Sequence, residues 1–103
     1  MKLKDSARIA GLRPETLLGM FAAHVVHQRH GWEMVITSCT DGQHSAGSLH
    51  YLGLAFDLRT RDRSELEIQT LVSEIKDALG SEWDVVRETL HIHCEFQPKT
   101  NRG

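Results

Sequence analysis

Two cysteines and two prolines are all that this chain carries in 103 residues. Cys39 and Cys94 offer one possible pair, too few for a disulfide-stapled scaffold. They read as reduced, core-filling thiols, and a thiolate zinc ligand would lack its usual Cys-x-x-Cys spacing. With proline only at positions 14 and 98, there is no linker or low-complexity tract, and no internal repeat is visible. No apolar run is long enough to span a bilayer. The charged start, Met1-Lys2-Leu3-Lys4-Asp5-Ser6, lacks the apolar segment of a secretion signal. Lysine and arginine form no long run and the net charge is -2, so no nucleic-acid footprint is indicated. These exclusions leave one domain over residues 1–103 with a modest core. They predict a protein made in the cytoplasm with neither nucleic acid nor membrane as partner.

What is present is an ordered alternation of helix and strand signals. Residues 1–12 read as a lead-in and 98–103 as a tail. A helix is expected from Pro14, where a missing amide hydrogen costs nothing. Its apolar stripe is read as Leu17, Leu18, Phe21, Ala22 and Val25, and Gly31 suits its end. Glu33–Ser38 reads as a short buried strand and Cys39–Ser48 as a loop. Leu54–Arg59 reads as a strand with Leu54, Phe56 and Leu58 on one face and Ala55, Asp57 and Arg59 on the other. Ser64-Glu65-Leu66-Glu67 is a capping box. It starts a helix carrying Ile68, Leu71, Val72, Ile75 and Leu79 and ending at Gly80. Trp83–Arg87 and Leu90–Phe96 complete the set as two strands with a turn near Thr89. The order predicts an α+β domain with two helices on one side of a mainly antiparallel sheet.

Histidine is the compositional outlier, seven in all. His24, His27 and His30 share one helical segment and read as a polar helix surface opposite the apolar stripe. His50 and Asp57 stand seven apart, with the small residues Gly53 and Ala55 between them. Zinc favours neutral imidazole and carboxylate, and a catalytic site uses three such ligands plus water. His50 and Asp57 supply two. His91 and His93, two apart on one strand face, each offer the third. Glu88 lies three before His91, placed to take a proton from a metal-bound water.

The pattern Ser48-x-His50-x-x-Gly53-x-Ala55-x-Asp57, followed by Glu88-x-x-His91, resembles the zinc peptidases of the D-alanyl-D-alanine carboxypeptidase and hedgehog-like group. The likeness covers residues 14–97, and the small phage or prophage members, including L-alanyl-D-glutamate endopeptidases, look nearest. The resemblance implies a hedgehog/DD-peptidase-like fold and a zinc ion held by His50, Asp57 and His91, with Glu88 as catalytic base. It implies His93 and Ser48 as substrate contacts or supports. The implied substrate is a D-amino-acid-containing stem peptide of peptidoglycan, reached after release from the cell or from within a virion.

Many relatives carry an arginine soon after the Thr-Ser that ends the first strand. Here Cys39-Thr40-Asp41 takes that place. His44 can stand in as a donor, while Arg59 and Arg61 read as solvated strand ends. The competing reading is a non-catalytic zinc module of the same fold that recognises a cell-wall peptide or a protein partner. A two-histidine phosphoesterase is set aside because the chain has no His-x-Thr.

Overall fold

The structure, a computed structural model, describes residues 1–39 and 53–98. In chain order the elements are β1 (Lys2–Leu3), α1 (Pro14–Arg29), β2 (Val35–Ser38), β3 (Ala55–Arg59), α2 (Glu65–Leu79), β4 (Trp83–Arg87) and β5 (His91–Phe96). The strands form one sheet in the order β1-β2-β3-β5-β4. Only β1–β2 is parallel; the other pairings are antiparallel. The result is the expected α+β, hedgehog/DD-peptidase-like arrangement. The supposed lead-in does more than predicted, because Lys2 and Leu3 add an edge strand beside Val35 and Ile36.

Strand alternation divides the sheet into a helix-covered face and a site face. Phe56, Leu58, Val85, Ile92 and Cys94 join Met20, Ala23, Val26, Leu71 and Ile75 in one core cluster. Asp57 lies on the other parity of β3, as its position between Phe56 and Leu58 requires. The helix α2 begins at the capping box: the Ser64 hydroxyl accepts from the Glu67 amide, and the Glu67 carboxylate accepts from the Ser64 amide. Its apolar residues Ile68, Leu71 and Ile75 are the buried ones.

In α1 the expected face is wrong. The buried residues are Thr16, Gly19, Met20, Ala23, Val26 and His27. The stripe of larger side chains points outward, with Leu17 45%, Leu18 69%, Phe21 52% and Val25 49% exposed. Close approach, not hydrophobicity, selects the inner face. A methyl group added at Gly19 would sit 2.4 Å from the Trp83 ring. The Thr16 hydroxyl donates to the Gly53 carbonyl at 2.7 Å, which ties the start of α1 to the entry of β3. Gly53 itself has φ +73°, and a Cβ there would meet the Gly11 carbonyl oxygen at 2.3 Å.

The helical histidines are likewise not one polar surface. His27 is buried, with Nδ1 2.8 Å from the Ala23 carbonyl. His30 reaches Glu74 at 2.7 Å and stacks on Trp32. Desolvation, partly offset by the bond to Ala23, holds the His27 imidazole below its ordinary 6.5.

Two outcomes follow. Gly19→Ala lowers stability by roughly 1–3 kcal/mol through overpacking against Trp83, despite alanine's better helix propensity; urea unfolding measures it, and no loss would place the ring elsewhere. Because His27 is neutral when folded but takes a proton below 6.5 when unfolded, stability falls as pH drops through 6.5. His27→Gln flattens that slope between neutrality and about pH 5, the range in which an ordinary histidine titrates. An unchanged slope in the variant would remove His27 as its source.

Candidate metal centre

The centre is assembled by two antiparallel strands and one turn. In the β3–β5 ladder Asp57 pairs with His93 and Arg59 with His91. All four side chains therefore share one face. The turn after β4 brings Glu88 back, with its amide donating to the His91 carbonyl at 2.8 Å. Asp57, Glu88 and His91 then offer ligand atoms that all lie within 4.8 Å of one another. These are three of the four groups expected for the metal and base. His50, together with the expected ligand-contacting residues Ser48 and His44, lies outside the described residues.

The geometry separates two roles. Asp57 Oδ2 and His91 Nε2 are 3.6 Å apart. Two ligands on tetrahedral zinc at 2.0–2.2 Å stand about 3.4 Å apart, so this pair fits one edge of such a site. Glu88 Oε1 is 2.7 Å from His91 Nε2, a hydrogen-bond distance. Glu88 is also half-exposed, whereas Asp57 is buried. The donor set of one buried carboxylate and one imidazole suits zinc, with a second carboxylate beside it.

His93 holds Asp57 in place. Its Nδ1 is 2.8 Å from Asp57 Oδ1 and its Nε2 is 2.6 Å from Glu95 Oε1. The Asp57 hydrogen bond is the main reason its pKa is raised to about 9, and Glu95 adds to it against the cost of burial. Both ring nitrogens donate to carboxylates in the resulting imidazolium. Glu95 was not picked out from the sequence, although strand alternation places it on the His91–His93 face.

The surrounding pocket, about 380 Å³, includes Lys4, Ser38, Asp57, Arg59, Arg61 and His91 in its walls. Arg59 and Arg61 were expected to be solvated strand ends. Arg59 is half-buried beside the centre, while Arg61 is largely exposed and 3.9 Å from Asp62. Lys4 could not be placed from sequence because it arrives through the unpredicted β1. Neither cysteine joins the centre. Cys39 and Cys94 are fully buried in the core, and burial pushes the Cys94 thiol far above its ordinary pKa.

The fold defines an α+β domain of the hedgehog/DD-peptidase-like class, with Asp57, Glu88 and His91 grouped as candidate metal ligands. The Hedgehog amino-terminal signalling domain family matches residues 3–95, and the chain belongs to it. It is 34% identical over 92 residues to an Indian hedgehog protein of Gallus gallus, covering 87% of this chain and 22% of the relative. A Sonic hedgehog protein of Danio rerio is 30% identical, with 91% and 23% covered. An Indian hedgehog protein of Xenopus laevis is 33% identical, with 93% and 24% covered. The chain thus spans under a quarter of the length of these relatives.

These relationships correct several expectations. The chain groups with a signalling domain and vertebrate relatives, not with phage or prophage cell-wall hydrolases. These matches overturn the expectation of peptidoglycan stem peptides as partner. The expectation of a cytoplasmic product acting on a wall after release, or as part of a virion, is overturned by the same matches. The zinc-site pattern was read correctly as to fold, but its setting was taken from the wrong branch of the group.

With both thiols in the core, native protein should resist alkylation at Cys39 and Cys94 and react at both once denatured. Mass spectrometry after iodoacetamide treatment reads this. Rapid native labelling of Cys94 would show that it is exposed at the site face after all.

Proposed function

We propose that this chain is a zinc-binding recognition domain of the Hedgehog signalling type. His50, Asp57 and His91 hold one zinc ion, and the surface around it binds a partner protein. The observation that carries this reading is the Asp57–His91 pair at 3.6 Å, set in the wall of a pocket on the face away from the helices. His93 orients Asp57, as second-layer groups commonly orient metal ligands. Family membership favours signalling over turnover. Lys4, Arg59 and Arg61 add positive charge around the pocket and favour an acidic contact surface on the partner.

A second reading is hydrolysis of a peptide amide, and Glu88 is what favours it. Zinc bound here would supply an acidified water and a polarised carbonyl. Glu88, half-exposed, approaches the same His91 Nε2 that zinc would take, so zinc binding would release its carboxylate beside the pair to receive a proton. A module that only recognises has no need of such a base. The substrate in this reading is a peptide of unassigned sequence.

Zinc content, calorimetric titration and a quenched-fluorophore peptide library together test both readings. The parent is expected to bind one zinc ion, with Asp57→Asn weakening it on the order of a hundredfold or more. Glu88→Ala is expected to keep the zinc. Cleavage by the parent that vanishes in Glu88→Ala with zinc retained would replace the recognition reading by the catalytic one. A parent that takes up no zinc sinks both.

A further inference from the structure

The outward face of α1 is a second surface, independent of the metal centre and on the opposite side of the sheet. Leu17, Phe21 and Val25 follow one another at four-residue intervals and form a row along the helix. Leu18 and Ala22 form the adjoining row. Four of these five side chains are exposed by nearly half or more, and Ala22 is partly buried. Isolated apolar residues at a surface are ordinary, but a contiguous set of this kind marks an interaction site. The surface also continues beyond the helix. Leu18 and Ala22 share a groove of about 340 Å³ with Leu79, Trp83 and Phe96.

The charges at its ends indicate what covers it. Glu15 lies in the first turn of α1 and Arg29 in the last. They are about four full turns apart, so they fall along the same edge of the helix. A two-fold axis through the middle of the row, near Ala22, lays a second α1 antiparallel on the first. That operation brings Glu15 of each copy beside Arg29 of the other, at both ends of one interface. It also sets the two helix dipoles antiparallel, the positive end of each beside the negative end of the other. The same first-turn acid and last-turn base also suit the dipole of each single helix, so it is the charge exchange between copies that has to be tested.

We infer that the Leu17–Phe21–Val25 face of α1 is a homodimer interface, formed by two-fold antiparallel packing of α1 against α1 of a second copy.

Sedimentation velocity on the whole chain, over a concentration series, tests it. The parent is expected to pass from monomer to dimer. Phe21→Glu, at an exposed position, leaves the far-ultraviolet circular dichroism unchanged and weakens the dimer on the order of a hundredfold, since it buries a charge at the centre of each side. Glu15→Arg alone and Arg29→Glu alone each weaken it roughly five-fold. The double variant Glu15→Arg/Arg29→Glu recovers it, because the pairing is restored with signs exchanged. A parent monomeric to millimolar concentration overturns the inference. So does a dimer indifferent to Phe21→Glu, or a double variant as weak as the singles. A monomer that instead floats with phosphatidylcholine vesicles, and loses this in Phe21→Glu, would assign the face to a membrane surface and also overturn it.

Discussion

The register between β3 and β5 is the constraint on which the rest depends. Phe56 faces Cys94 and Leu58 faces Ile92 on one side, while Asp57 faces His93 on the other. A slip of one residue would exchange the two faces of either strand. It would drive Asp57 or the two histidines into the helix-covered core and push fully buried apolar side chains into the pocket. Both faces oppose that slip. Phe56, Leu58, Ile92 and Cys94 are completely buried, and Asp57 is bound to His93 at 2.8 Å. Core and metal centre are therefore specified by the same pairing. Helices α1 and α2 press on one side of it, and the pocket opens on the other.

That dependence explains which features could be read from the sequence. The parity of Leu54–Arg59 placed Asp57 away from the apolar row, and a period-two pattern needs no tertiary information. The capping box at Ser64–Glu67 was equally local, and its helix buries the residues its spacing indicated. Glu88 and His91 were legible because a turn and a strand start hold them together. The α1 face was not legible, because both sides of that helix are apolar. Its inner side carries Gly19, Thr16, Ala23 and His27, chosen for closeness to Trp83 and for hydrogen bonds to backbone carbonyls. Those reasons exist only once the sheet is in place. The larger Leu17, Leu18 and Phe21 stand on the outer side. The two-residue β1 carried no pattern at all, and with it Lys4's place in the pocket wall was hidden.

The distance between site chemistry and biological setting has the same origin. His50, Asp57, Glu88 and His91 describe what a metal needs, and that need is shared by every domain built on this donor set. Fold and donors together do not specify a partner; the residues that border the donors differ from one domain to the next. Here they include Lys4, Arg59 and Arg61, brought together from just after β1, from β3 and from the segment after β3. A resemblance carried by ligand spacing could point to the fold and the metal, but it held little information on whether a wall peptide or a protein surface is met there.

The carboxylates of the candidate centre are held by the same charge balance that stabilises the strand pairing. Asp57, Glu88 and Glu95 crowd one strand face, which requires compensating positive charge. His93 supplies it as an imidazolium between Asp57 and Glu95, and its pKa is raised accordingly to about 9. The bond to His93 uses Oδ1 of Asp57, whereas Oδ2 is the oxygen turned to His91. A cation seated between Oδ2 and His91 can thus be held without breaking the bond that orients the carboxylate. The sheet fixes the Asp57–His93 pair through register, and that pair in turn presents the remaining oxygen. The placement of the candidate ligand atoms is thereby coupled to the strand pairing that makes the fold.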